Sequence, residues 1–184
     1  MTTDYITLDE VEKLSTDERI PYKWRLIYRV LFFSALRASE LLTARFRQLV
    51  WNRDGFFLLL ERQKNKTKNE LTPMRKEDFK EVWWYCKNRE SLLDSYIFVG
   101  QRGKHTVQHL NRMIKQHTKI VGVRSYLASH SFRRGRVVHL ANMGVPYAEI
   151  AIITRHRNVQ MLMKHYDKDV KRRSYELLEQ FGSY

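Results

Sequence analysis

Apolar positions along this 184-residue chain recur mostly at the three-and-four spacing of helices. Ile6 to Leu14 predicts a short opening helix, and Pro21 to Phe33 a longer one with proline at its start, where a missing N–H costs nothing. The pattern then changes to that of strands. Gln48 to Trp51 and Phe56 to Glu61 read as two strands around Asn52-Arg53-Asp54-Gly55, a hairpin turn. A third short strand is expected from Glu70 to Met74, after a Lys/Asn/Thr-rich stretch. Helical spacing returns over Lys76 to Lys87, Val107 to Ile120, Ser131 to Met143, Tyr147 to Thr154, Val159 to Asp167 and Val170 to Phe181. Gly144 closes one of these helices and Pro146 opens the next. The expected fold is mainly α with a small three-stranded antiparallel β-sheet (α+β), in one domain over residues 1–184.

Charge narrows the class of partner. Lys and Arg outnumber Asp and Glu by 34 to 20, a formal net charge of +14. A single domain this basic favours a polyanion, because each neutralised phosphate releases condensed counterions. A solvated basic surface would give the same excess, so charge says nothing about chemistry. Cys86 is the one cysteine, which leaves no internal disulfide and no cysteine-rich metal site; in Trp83-Trp84-Tyr85-Cys86 it reads as core filling. Met1-Thr2-Thr3-Asp4 lacks a signal segment, and the apolar stretch from Leu26 to Leu36 is broken by Arg29 and too short for a bilayer. The expectation is a soluble protein of the cell interior with no membrane partner.

Candidate chemistry lies in two distant segments. His130-Ser131-Phe132-Arg133 is followed twenty-three residues after the arginine by His156, and ten later by Tyr166. Far upstream, Ala35-Leu36-Arg37-Ala38-Ser39-Glu40-Leu41 supplies a second arginine. Guanidinium forks grip phosphate oxygens at two points. Imidazoles move protons near neutral pH, and a tyrosine can attack phosphorus and be held there. Plain structural accounts exist for each: an ion pair of Arg37 with Glu40, and a chance three-residue spacing of His130 and Arg133.

Taken together, these segments closely resemble the tyrosine recombinases, or phage-type integrases. Tyr5-Ile6-Thr7-Leu8-Asp9-Glu10-Val11 is similar to the usual start of their catalytic domain, and the likeness runs over essentially the whole chain. The resemblance implies that Arg37 and Arg133 bind the scissile phosphate, that Glu40 supports Arg37, and that His130 and His156 handle protons or hydrogen bonds. Arg134 stands where many relatives carry another histidine, and reads as a packing or DNA contact. The family's general-acid lysine, on the turn between the second and third strands, matches Lys66 best, with Lys68 and then Lys64 as alternatives; Lys64 and Lys68 also read as DNA contacts. Gln101-Arg102-Gly103-Lys104-His105 is a candidate phosphate-contact loop through Arg102 and Lys104.

Tyr166 is the expected nucleophile. Most relatives place it nine residues after the position of His156, which here is His165; integrases of some archaeal viruses share the longer spacing. The implied activity is a site-specific DNA recombinase that cleaves and rejoins double-stranded DNA through a 3′-phosphotyrosyl link, with neither metal nor ATP. The implied assembly is a homotetramer on DNA, with the helix at 170–181 docking on a neighbouring protomer or on its own core. Relatives carry an amino-terminal clamp domain that this sequence lacks, so a fragment and a minimal form are both open. So are a DNA-binding protein without a nucleophile, for which His165 speaks, and an end-resolving or relaxing enzyme with the same tyrosine chemistry.

Overall fold

The computed structural model describes residues 4–61, 69–100, 103–156, 158–160 and 162–163. Helix α1 (Leu8–Thr16) opens with a reciprocal cap: the Thr7 amide donates to the Glu10 carboxylate at 2.9 Å, and the Glu10 amide donates to the Thr7 hydroxyl at 3.3 Å. It buries Val11 and Leu14 against α2 (Tyr22–Phe33), the central helix, which buries Trp24, Leu26, Ile27, Tyr28, Val30, Leu31 and Phe32. Arg29, the charge that interrupts this apolar run, is matched by Asp78 at 2.6 Å and Glu81 at 2.7 Å.

One helix was not expected. The segment from Val30 to Leu42 divides at Ser34–Arg37, and α3 (Ala38–Thr43) follows. Six residues are too few to establish a helical period in sequence. The three-stranded sheet is as expected, in the order β1 (Leu49–Asn52), β2 (Gly55–Leu60), β3 (Glu70–Met74), all antiparallel. Leu58 lies opposite Leu49 on one side and Thr72 on the other, and Leu58 and Thr72 are fully buried. A period of two therefore sends Thr72 into the protein. Helix α4 (Lys76–Lys87) covers the sheet with Phe79 and Val82 and buries Cys86, whose thiol burial pushes up to about 11. Cys86 is thus core filling, as its sequence context predicts.

A second departure is the hairpin β4 (Val99–Gly100) and β5 (Gly103–Lys104), where the sequence predicts a loop. Pairs of two residues leave no periodic signal. Gly100 leaves room there for the His105 ring, which a Cβ would approach to 2.9 Å and displace. Helix α5 (Val107–Ile120) and helix α6 (Ser129–Asn142) pack together, and Asn111 of α5 accepts the Ser129 amide at 2.9 Å, capping α6. Gly144, at φ 82°, then turns the chain into α7 (Tyr147–Thr154).

The main core gathers α1, α2, α4, the sheet, α5 and Phe132 of α6. A separate small cluster joins Val137 and Leu140 of α6 to Ile150 and Ala151 of α7 and to Leu162. Among the described residues no helix is long and apolar enough to cross a membrane, and no group of His, Cys, Asp and Glu is placed to hold a metal ion.

Candidate active site

The turn between α2 and α3 positions the first arginine. Ala35 there takes φ 48°, a left-handed conformation that costs a residue with a Cβ roughly 1–2 kcal/mol. Its carbonyl accepts a hydrogen bond from Nη1 of the buried Arg133 at 2.7 Å. Two residues later, Arg37 caps α3. Glu40, in the first turn, accepts the Arg37 amide on Oε2 at 2.7 Å and the Arg37 Nη1 on Oε1 at 2.8 Å. The pairing read from the three-residue spacing is therefore present. Glu40 is 5% exposed at the side chain and Arg37 is 44% exposed, so the buried acid holds an accessible guanidinium.

Glu40 has a further partner to which the sequence reading gave no role. Arg155, with a side chain 6% exposed, donates from Nη2 to Glu40 Oε2 at 2.6 Å, and its Nη1 meets the Thr72 hydroxyl of β3. Burial alone would raise the Glu40 carboxyl; Arg155, with the amide and guanidinium of Arg37, holds it below the usual carboxylate range. Arg155 also ends α7 at φ 56° and ψ 44°. The only hint in sequence was a charge at the end of an apolar helix, which is ordinary for an exposed cap.

His156 follows directly. Thr154, fully buried, donates its hydroxyl proton to the Ile150 carbonyl at 2.6 Å and lies 2.5 Å from Nδ1 of His156. A hydroxyl has one proton to give, so Nδ1–H of the imidazole must donate to Thr154. That leaves Nε2 as the acceptor of the neutral ring. Burial, reinforced by the positive charges of Arg133, Arg37 and Arg155, pushes His156 down to about 4. The same three cations acting on one ring place Arg37, Arg133 and His156 in one electrostatic neighbourhood.

Helix α6 begins at Ser129, two residues earlier than its apolar spacing predicts, so His130 and Arg133 both lie on it, in successive turns. The first is exposed and the second buried. Arg134 is ion-paired with Asp4 and half exposed. Lys104 is exposed on β5, so the segment read as a loop presents it from a hairpin. Lys64, Lys66, Lys68, Arg102, Tyr166, His165 and the segment 170–181 lie outside the described residues.

A buried acid holding an accessible arginine, a second arginine tied to the same turn and a histidine that feels the charge of both are groups whose chemistry suits a phosphate. The phage integrase family model matches residues 4–173, and the chain belongs to that family. It is 30% identical over 158 residues to the tyrosine recombinase XerD of Pseudomonas putida, covering 82% of this chain and 48% of that protein. Among solved structures, it resembles the XerA recombinase (TM-score 0.75, 21% identity, 89% of this chain and 60% of that one). It also resembles the XerH site-specific recombinase bound to palindromic difH substrate in a post-cleavage complex (TM-score 0.76, 14% identity, 95% of this chain and 52% of that one). Its mainly helical fold with a small antiparallel sheet is thus that of tyrosine recombinase catalytic domains. The chain spans about half the length of the curated relatives it matches.

Proposed function

We propose that this protein is the catalytic domain of a site-specific DNA recombinase that cuts and rejoins strands through Tyr166. The observation that carries the reading is that the buried Glu40 holds the accessible Arg37, while Arg133 is bonded to the Ala35 carbonyl of the turn that leads into Arg37. Two forks on one phosphodiester neutralise the charge that builds on phosphorus as it becomes five-coordinate, which requires neither metal nor ATP. Family membership and the net charge of +14 support double-stranded DNA as the partner.

In the first step the Tyr166 oxygen attacks phosphorus, forming a 3′-phosphotyrosyl bond while the bond to the 5′ oxygen breaks. Lys66, with Lys68 and Lys64 as alternatives, gives the leaving oxygen its proton. The exposed His130 takes the phenol proton. A 5′ hydroxyl from a partner duplex then reverses the step, conserving the bond energy. A free phenol of pKa about 10 is ionised about one part in a thousand at pH 7, a cost of about 4 kcal/mol that the neighbouring cations must offset. His156 is neutral in the free protein; a bound phosphodiester adds a negative charge that raises its pKa and lets Nε2 bond a phosphate oxygen once protonated. Strand exchange needs two duplexes, and hence a tetramer on DNA.

The test is a duplex nicked near the crossover point, or supercoiled plasmid carrying the parent element where the site is unknown. A covalent protein–DNA band in the wild type and none in Tyr166→Phe is the expected result. A band that survives the substitution moves the nucleophile elsewhere. Intact DNA binding with no band would place this chain among DNA-binding proteins without a nucleophile.

A further inference from the structure

We propose that Arg155 is a positioning residue for the tyrosine reaction: it fastens the end of α7 that carries His156 to Glu40, and through Glu40 to Arg37, while anchoring both to β3. The proposal rests on the recombinase reading above. Three chain segments meet at this one guanidinium. Glu40 belongs to α3, whose cap is Arg37; Thr72 belongs to β3, the strand that follows the lysine-bearing turn; and Arg155 itself precedes His156. Two of the three carry residues assigned to the reaction, the third follows the turn that carries Lys66, and none is adjacent to another in sequence.

The geometry is selective for arginine. One Nη donates to Glu40 at 2.6 Å and the other meets the Thr72 hydroxyl, so a planar fork spans two acceptors on different elements. The side chain is 6% exposed and its partner carboxylate 5%, while Thr72 is fully buried. An acid and a base withdrawn from water together cannot part without leaving a buried charge uncompensated, which an exposed pair can do freely. The backbone bears a cost for this. Arg155 adopts φ 56° and ψ 44°, where glycine is at ease and an arginine is not. The left-handed turn directs the side chain back under the helix end instead of out to solvent, and the next residue is His156. Loss of Arg155 would free the His156 backbone from both β3 and Glu40, and would leave Glu40 to Arg37 alone.

Arg155→Gly separates positioning from fold. Glycine suits the left-handed turn, so a role confined to closing α7 predicts unchanged cleavage and equal or higher thermal stability. The positioning role predicts that covalent-complex formation at saturating DNA slows by about tenfold or more, with DNA affinity changed by no more than about twofold. Arg155→Lys, which keeps the charge and loses the fork, should fall between the two. Combining Arg155→Gly with Glu40→Gln should add little to the larger single loss, because both break one linkage. A second readout needs no cleavage: an NMR titration of His156 in the free protein, where removing one of its three neighbouring cations must raise its pKa. Wild-type protein that forms no covalent complex would defeat the recombinase reading while leaving this titration to judge the clamp. Cleavage within about twofold of wild type in Arg155→Gly, a loss confined to DNA affinity, or an unmoved His156 titration would each overturn the proposal.

Discussion

Arg133 donates from Nη1 to the carbonyl of Ala35 at 2.7 Å, so the second arginine proposed to bind phosphate is tied to the turn that presents the first. The two guanidinium groups, ninety-six residues apart in sequence, therefore share one support. Arg133→Lys keeps the charge and loses this fixed fork. Covalent-complex formation should drop by about a hundredfold while DNA affinity at low salt changes little, since the net charge is unchanged. Parallel single-turnover cleavage and binding titrations check it; equal losses in both would mean Arg133 acts only as a point charge.

Gly135 is the contact that seats the amino-terminal segment on α6. A Cβ there would lie 2.1 Å from the Ile6 carbonyl oxygen and 2.9 Å from Ile6 Cγ2, and the Ile6 amide donates to the Ser131 carbonyl at 3.1 Å. Gly135→Ala gains about 1 kcal/mol of helix propensity and must move backbone to do so. The net change is expected to be a destabilisation of about 2 kcal/mol or more, read from the denaturant midpoint at constant m. An unchanged or raised midpoint would show that the amino-terminal segment is not held this closely.

Asp78 is 2% exposed and serves two cations, Arg29 at 2.6 Å and Arg75 at 2.7 Å. Asp78→Asn leaves both facing a neutral amide inside the contact of α2 with α4. A loss of about 3 kcal/mol is expected, with Arg29→Met giving back part of it in the double variant. Equilibrium unfolding of the four proteins decides this, and strictly additive losses would rule it out.

Stability should fall as the solution is acidified. Burial, followed by nearby cations, holds His156 and His105 down to about 4, whereas an unfolded histidine titrates near 6.5. Both are neutral in the folded protein where the unfolded chain already binds a proton, so unfolding takes up protons between about pH 6.5 and 4. The stability they contribute is complete above the unfolded value and is lost as pH falls through the folded one. Glu40, held below the carboxylate range, acts in the same direction at still lower pH. The thermal midpoint should therefore decline from pH 7 to pH 4.5, with a shallower slope in His156→Asn. A midpoint that rises over that range would contradict the burial of these rings.

The helices with a long apolar period, α2, α4 and α5, were legible from sequence because burial selects their spacing, and the strands were legible from the Asn52–Gly55 turn and the polar stretch before Glu70 that bound them. The helix α3 and the hairpin β4–β5 were not, since six and two residues per element leave no period to read. Arg37, Glu40, Arg133 and His156 were legible through their resemblance to a family, and the Arg37–Glu40 pair through spacing alone. Arg155 was invisible for a physical reason. Its importance depends on a left-handed backbone and on Thr72 of a distant strand, and neither leaves a local mark on the sequence.

The small apolar cluster under α7 has a mechanical consequence. Ile150 and Ala151 are bound to α6 and Leu162 by a patch of five buried residues, while the rest of the fold shares a far larger core. So small a patch gives α7 less apolar cohesion than the main core gives α2, and local opening is cheapest where such cohesion is least. His156 follows the end of α7, where Arg155, bonded to Glu40 and Thr72, is the polar tie to the larger core. The end of the chain that presents His156 is therefore mounted like a blade on a handle: its apolar bearing surface is narrow, and amide hydrogens on α7 should exchange well ahead of those on α2.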